Sequence, residues 1–366
     1  MSQAKGKLLG DPVGELAKLP VLADMLRAQG HGCQLVTLSS AQMLEVLIDV
    51  EHKEFLYEQK AKPVSERQRW DRSKAAKYPV EDGATYCLGW SFSPATSVRQ
   101  IDTLIPVSYS DGAHMRSSAA GILLSTVSLD SDHHVVPLTY SCLLTNENEH
   151  SHTIQLEFSK EMYGEAYDRP ERREISDQDK GMEAAWGKAM TNGSKAFNCA
   201  RHRGDNVSTT VKPGGSEARS LYEQAVKALT LPRLEEIKAL YSPQAAAYLG
   251  QVPDAAQYIA ACGKLHGESV NSTVEAMNAV NDEVRREFSS GVHMTAALLS
   301  CVKKSSKRFN ENKTKAHAAT GQLPKAVLSK MKDVLEKAGT ITAGVSFPAR
   351  NDKKRPYRKN ETRGRK

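Results

Sequence analysis

PVSYSDGAH, residues 106–114, is the stretch whose reading decides the fold. Ile105, Val107 and Tyr109 alternate up to Asp111, and Pro106 is tolerable near the start of a strand. The segment therefore reads as a short β-strand that delivers a carboxylate. Two further acidic residues sit in suggestive contexts: Asp177 in ISDQDKG (175–181) and Glu275 in NSTVEAMN (271–278). Hard divalent cations take carboxylate oxygens, and two-metal phosphoryl transfer needs such ligands converging from separate elements. Each residue also has an ordinary reading. Asp111-Gly112 could be a turn closing the strand, Asp177 could cap the following helix, with Asp179 a rival for either role, and Ser272 to Glu275 has the capping-box spacing.

Working outward, residues 121–129 and 135–145 read as strands joined by a turn at 130–134. A helix is expected over 152–162, a short strand at 174–176, a helix bearing Met182, Ala185, Trp186 and Ala189, and a strand at 195–200. The order is three strands, helix, strand, helix, strand. Residues 1–60 read as helical, with Leu19, Leu22 and Leu26 on one face and Met43, Val46, Leu47 and Val50 on another. Residues 61–77 lack a period and read as a loop. Beyond Gly214-Gly215 the pattern becomes helical, through Leu221, Leu234 and Ile237, then a helix opened by Ser272 and others from about 292 and over 324–338.

At 366 residues and 40% apolar content the chain can bury a substantial core. No apolar run approaches the ~20 residues that a membrane span requires, so no membrane partner is expected. Six widely scattered cysteines do not form a disulfide framework and suggest a reducing compartment. The formal charge of +7 is concentrated at the C-terminus, where residues 350–366 hold nine Lys or Arg against Asp352 and Glu361. Lys353, Lys354, Arg355, Arg358, Lys359, Arg363, Arg365 and Lys366 make this tail a candidate DNA-binding arm and nuclear import signal. A solvated, disordered end is the plain alternative.

Cys199 and His202 have a spacing found in zinc sites, which would call for a structural Zn²⁺. Two ligands fall short of a site; Cys262, His266 and His293 are the conceivable completions, and a packed Cys beside a hydrogen-bonding His is the other reading. His133, His134, His150 and His152 lie in polar stretches and read as exposed.

Taken together, residues 86–303 resemble the transposase domain of Mutator-like elements, a branch of the DDE recombinases with an RNase H-like core. The family's first motif, Pro, a short apolar strand, then Asp-Gly/Ala-Thr/Ala-His, is similar to Pro106 through Asp111 to His114. Pro137-Leu138 resembles its Pro-Leu/Phe-Ala strand, and Glu147-Asn148 its Glu-Asn. Ser176-Asp177 with Gly181-Met182 resembles the second motif, Cys199 and His202 with Asn206 its Cys-x-x-His, and Glu275 with Asn278 its Glu-x-x-Asn. Where family members usually have Trp after Glu-Asn, this chain has His152. Family members also commonly carry an N-terminal zinc-binding recognition domain and a C-terminal Cys/His finger; the cysteine spacing here fits neither.

The resemblance implies an α/β fold: an RNase H-like mixed sheet flanked by helices, with an all-α insertion before the catalytic helix and a helical N-terminal region. The implied division is 1–84 (N-terminal helices and linker), 85–204 (first part of the core), 205–264 (insertion), 265–305 (catalytic and following helix), 306–345 (C-terminal helices) and 346–366 (basic tail). It implies a DDE-type transposase in which Asp111, Asp177 and Glu275 hold two Mg²⁺ or Mn²⁺ ions for DNA strand cleavage and strand transfer, with His114 and Asn278 supporting them. Implied partners are the element's terminal inverted repeats, target DNA, a second or further copy of the chain, and a separate DNA-recognition subunit, in the nucleus. The competing classes are a transposase-derived DNA-binding regulator without catalysis and an RNase H-like nuclease acting on RNA–DNA hybrids or junctions.

Overall fold

The computed structural model describes residues 18–60, 62–72, 80–115, 121–177, 181–262, 273–274 and 294–318. The chain divides into two compact units, Met1–Thr320 and Gly321–Lys366. The second unit, which includes the basic tail and the expected helix at 324–338, lies outside the described residues.

In the first unit the elements follow the order α1 (Lys18–Ala28), β1 (Gly32–Ser39), α2 (Ser40–Lys60), β2 (Thr85–Ser93), α3 (Ala95–Gln100), β3 (Val107–His114), β4 (Ile122–Leu129), β5 (Val135–Leu143), α4 (Glu149–Tyr163), β6 (Arg173–Ser176), α5 (Met182–Ala189) and β7 (Lys195–Asn198). Helices α6 (Ala200–Thr210), α7 (Gly215–Val226), α8 (Leu231–Lys238), α9 (Pro243–Leu249), α10 (Ile259–Cys262) and α11 (Met294–Ala318) follow. The protein is thus mixed α/β. No helix among the described residues is long and apolar enough to cross a membrane.

Seven strands form one mixed sheet in the order β1-β2-β5-β4-β3-β6-β7. β1 through β3 pair antiparallel along this order, whereas β3–β6 and β6–β7 are parallel. The expected sequence of three strands, helix, strand, helix, strand is present as β3 to β7. Parallel pairing requires a crossover, and α4 and α5 supply the two needed.

The strands alternate between two packed faces. The front face carries Trp90, Phe92, Val107, Tyr109, Val127, Tyr140, Ile175 and Phe197, which form one core cluster with Leu19 and Ala23 of α1, Val274, and Ala297, Leu298 and Cys301 of α11. The back face is covered by α4 and α5 around Leu138, Leu156, Tyr163 and Trp186, and by α2 around Val36, Leu38, Val46 and Leu124. Between sheet and α4 the back face is rich in hydroxyls that pair across strands: Ser91 with Ser141 at 2.7 Å, Ser110 with Thr126 at 2.6 Å, and Thr139 with Ser159 of α4 at 2.9 Å. Buried polar groups need such partners, and here the strands supply them to one another.

Two expectations change. The N-terminal region is not wholly helical, because β1 lies between α1 and α2 and pairs with β2 from Gly32↔Ser93 to Ser39↔Thr85. Cys33, Val36 and Leu38 are buried there, so the strand is stabilised by the sheet edge it covers. The expected boundaries at 204/205 and 305/306 fall inside α6 and α11. The helices after β7 do form an all-α stretch with its own core, centred on Val207, Tyr222, Leu234, Leu249 and Tyr258.

Candidate active site at the ends of two parallel strands

Asp111 lies within β3, which continues through Gly112 to His114, so the turn reading of Asp111-Gly112 does not apply. Its register partner on β4 is Ser125, itself the partner of Tyr140 on β5. Val107 and Tyr109 belong to the front core, and strand alternation sends Asp111 to the same face. The side chain is half-buried.

On the other side of β3, Ser110 pairs with Ser176 of β6. Asp111 and Asp177 are each the next residue after that pair, on strands that neighbour one another at roughly 4.8 Å. Asp177 is also not the cap of α5: the cap position is Gly181, in the left-handed region at φ 85°, without a side-chain cap bond. The ordinary explanations for both aspartates therefore fail on backbone grounds.

A third strand brings His202 to this point. The backbone N–H of Cys199 donates to Ser176 O at 2.9 Å, and α6 starts directly after Cys199. One turn later the His202 Nδ1 lies 3.8 Å from Asp177 Oδ2, and Arg201 Nη2 is 3.1 Å from His202 Nε2. Cys199 itself is packed in the front core at 1% exposure. Cys262, a candidate completion of a zinc site, accepts from Arg173 Nε at 3.2 Å. Among the described residues no group of three or more His, Cys, Asp or Glu is arranged to hold a metal ion. His266, His293 and Asp179 lie outside the described residues.

Glu275 and Asn278 also lie outside them, but Val274, directly before Glu275, does not. Val274 is fully buried in the cluster that contains Tyr109 and Ile175, hence on the Asp111 face. Met294 belongs to the same cluster, and its carbonyl accepts from Trp90 Nε1 at 3.0 Å. Both flanks of the segment 275–293 are thus anchored to the front face.

His114 is exposed at the end of β3. Three positions along an extended strand, its side chain leaves from the opposite face to Asp111. Residues 353–366 of the basic tail lie outside the described residues.

Two buried carboxylates were not among the expected site residues. Glu147 lies over Gly112 on the back face, its side chain 4% exposed, with His152 Nε2 3.4 Å from its Oε1. His152, expected to be exposed, is buried: the capping box of Asn148 with Ser151 starts α4 early enough to turn position 152 inward. The signal available in sequence was Gly112 itself, a glycine inside a strand, which often marks close approach of another group. Glu174, on β6, is fully buried and accepts from the hydroxyls of Ser108 and Ser110. Burial pushes its carboxyl up to about 7, against the opposing effects of those hydroxyls and of Arg172. Arg172 lies over the Tyr167 ring at 5.4 Å, and its Nε donates to Ala166 O at 3.2 Å.

Comparison with known proteins adds nothing to this geometry: no family model and no curated protein matches the chain.

Proposed function

We propose that this protein is a metal-dependent polynucleotidyl transferase with an RNase H-like core, of the Mutator-like transposase kind. The observation that carries the reading is the pair Asp111 and Asp177, each the residue after a register pair of adjacent parallel strands. Strand order supports it as well. In RNase H-like cores the first strand is central and the fourth lies beside it, and here β3 opens the series and β6 is its parallel neighbour.

The donor set suits a hard divalent cation. Two half-buried carboxylates supply oxygens from adjacent strands, and Glu275, next in sequence to the front-face residue Val274, would add a third. A divalent cation bound there would polarise the phosphodiester and favour ionisation of an attacking water or 3′-hydroxyl. Asp111 and Asp177 would hold it, and His202, with Nδ1 3.8 Å from Asp177 Oδ2, would support Asp177. The ladder between β3 and β6 brings the backbones of Asp111 and Asp177 side by side, each one residue past the Ser110↔Ser176 pair. DNA as substrate, paired element ends held by two or more copies, and nuclear import through the basic tail belong to the same proposal.

The test is cleavage and strand transfer by the full chain on duplex DNA with Mg²⁺ or Mn²⁺. Asp111→Asn and Asp177→Asn, nearly isosteric but one charge short, should each abolish both reactions while leaving the fold intact by circular dichroism. Unchanged metal-dependent cleavage by either variant would overturn the assignment. Cleavage of DNA or of RNA–DNA hybrids without any strand transfer would point to a simple nuclease instead.

A further inference from the structure

A second site lies at the far edge of the sheet. A cavity of about 400 Å³ opens between the turn that enters α3 and helix α11. Its lining includes Gln29, His31, Thr96, Arg99, Ser305 and Asn310. Among the described residues no carboxylate lines it, so it presents one guanidinium, an imidazole, hydroxyls and amides. Ser305 is 2% exposed and its Oγ has no hydrogen-bond partner. Its hydroxyl is thus a polar group of the cavity lining with hydrogen-bonding capacity to offer.

We propose that this cavity binds a phosphate group of the nucleic-acid backbone, adding a contact remote from the strand-end carboxylates; the inference rests on the polynucleotide reading above. Arg99 supplies the charge and a forked set of donors matched to phosphate oxygens. His31 supplies a neutral donor. Its Nδ1 accepts from the Ala95 backbone N–H at 3.1 Å, which leaves Nε2 to carry the proton. Burial, and then the Arg99 charge, hold the ring below its ordinary pKa, which favours the neutral form. On α11, Arg308 lies three positions after Ser305 and so shares its side of the helix.

The surrounding geometry separates this site from the metal site. Phe92, whose ring lies tilted against His31 with centroids 5.4 Å apart, is the register partner of Tyr140, and Asp111 lies two strands beyond Tyr140, three from Phe92.

The experiment measures binding of duplex DNA by fluorescence anisotropy at several salt concentrations, with the full chain, its Arg99→Gln variant and its Ser305→Ala variant. Arg99→Gln should weaken binding several-fold at low salt and lower the salt slope by about one, the loss of a single phosphate contact. Ser305→Ala should weaken binding without changing the slope, because it removes a neutral donor. Inorganic phosphate should compete with DNA for the wild type and not for Arg99→Gln. DNA binding by Arg99→Gln with unaltered affinity and slope would overturn the pocket and leave the strand-end site untouched. Phosphate binding by a wild-type chain that binds no DNA would overturn both, assigning the pocket to a small phosphorylated molecule.

Discussion

Glu147 lies so close over Gly112 that a Cβ added to the glycine would come within 2.4 Å of the glutamate Cδ. The contact is on the back of β3, one residue past Asp111, and it ties the start of α4 to the strand that carries the candidate metal ligand. Gly112→Ala should therefore lose about 1–3 kcal/mol of stability, read from a urea titration, because the buried carboxylate must be displaced. Glu147→Ala in the same chain should recover part of that loss, giving a coupling energy in a double-mutant cycle. Purely additive losses would mean that the two residues do not oppose each other.

Glu174 sets a pH dependence. Its carboxyl titrates near 7 in the folded protein, pushed up chiefly by burial, against about 4.3 in an unfolded chain. Across that window the folded state keeps a proton that the unfolded state has released. Stability is therefore greatest below the lower value and falls as pH rises toward the upper one, by on the order of 3 kcal/mol. Glu174→Gln, which is neutral throughout, should flatten this dependence between pH 4.5 and 7. A variant that follows the wild-type curve over the same range would show that Glu174 is ionised when folded.

In the proposed site His202 would act through Asp177 rather than on a substrate. With Nδ1 3.8 Å from the carboxylate oxygen, it limits the orientations open to that side chain. His202→Ala should weaken Mn²⁺ binding about 10-fold by calorimetry, the scale of a lost supporting contact. Asp177→Asn should weaken it further, and the double variant should match Asp177→Asn alone. Unchanged affinity in His202→Ala would remove the histidine from the site.

The basic C-terminus is expected to add sequence-independent affinity. Removing residues 346–366 deletes nine Lys or Arg and should lower the salt slope of DNA binding by more than about two. The thermal melting of the remaining chain should not move. An unchanged slope would mean that the tail contacts no phosphate.

Much of the fold was legible because it is written in local periodicity. Tyr109 and Val107 alternate around Asp111, and the strand is there; Met182, Ala185, Trp186 and Ala189 repeat at helical spacing, and α5 buries all four. The strand β1 was not legible. Gly32–Ser39 follows an amphipathic helix and precedes another, and only its pairing with β2 distinguishes a strand there from a continued helix. His152 was misjudged for a similar reason, since a one-residue difference in where α4 begins decides which way the imidazole turns.

For the candidate site the division is sharper. The primary structure alone determined which residues carry charge and which elements bear them, because residue type and period are local properties. What the tertiary structure decided is adjacency: that Ser110 pairs with Ser176, so that Asp111 and Asp177 are neighbours; that Val274 packs on their side of the sheet; and that Glu147 and Glu174 are buried behind it. Register between strands far apart in the chain is selected by the summed burial of both faces and by closure of every backbone hydrogen bond. No short stretch of residues contains that sum.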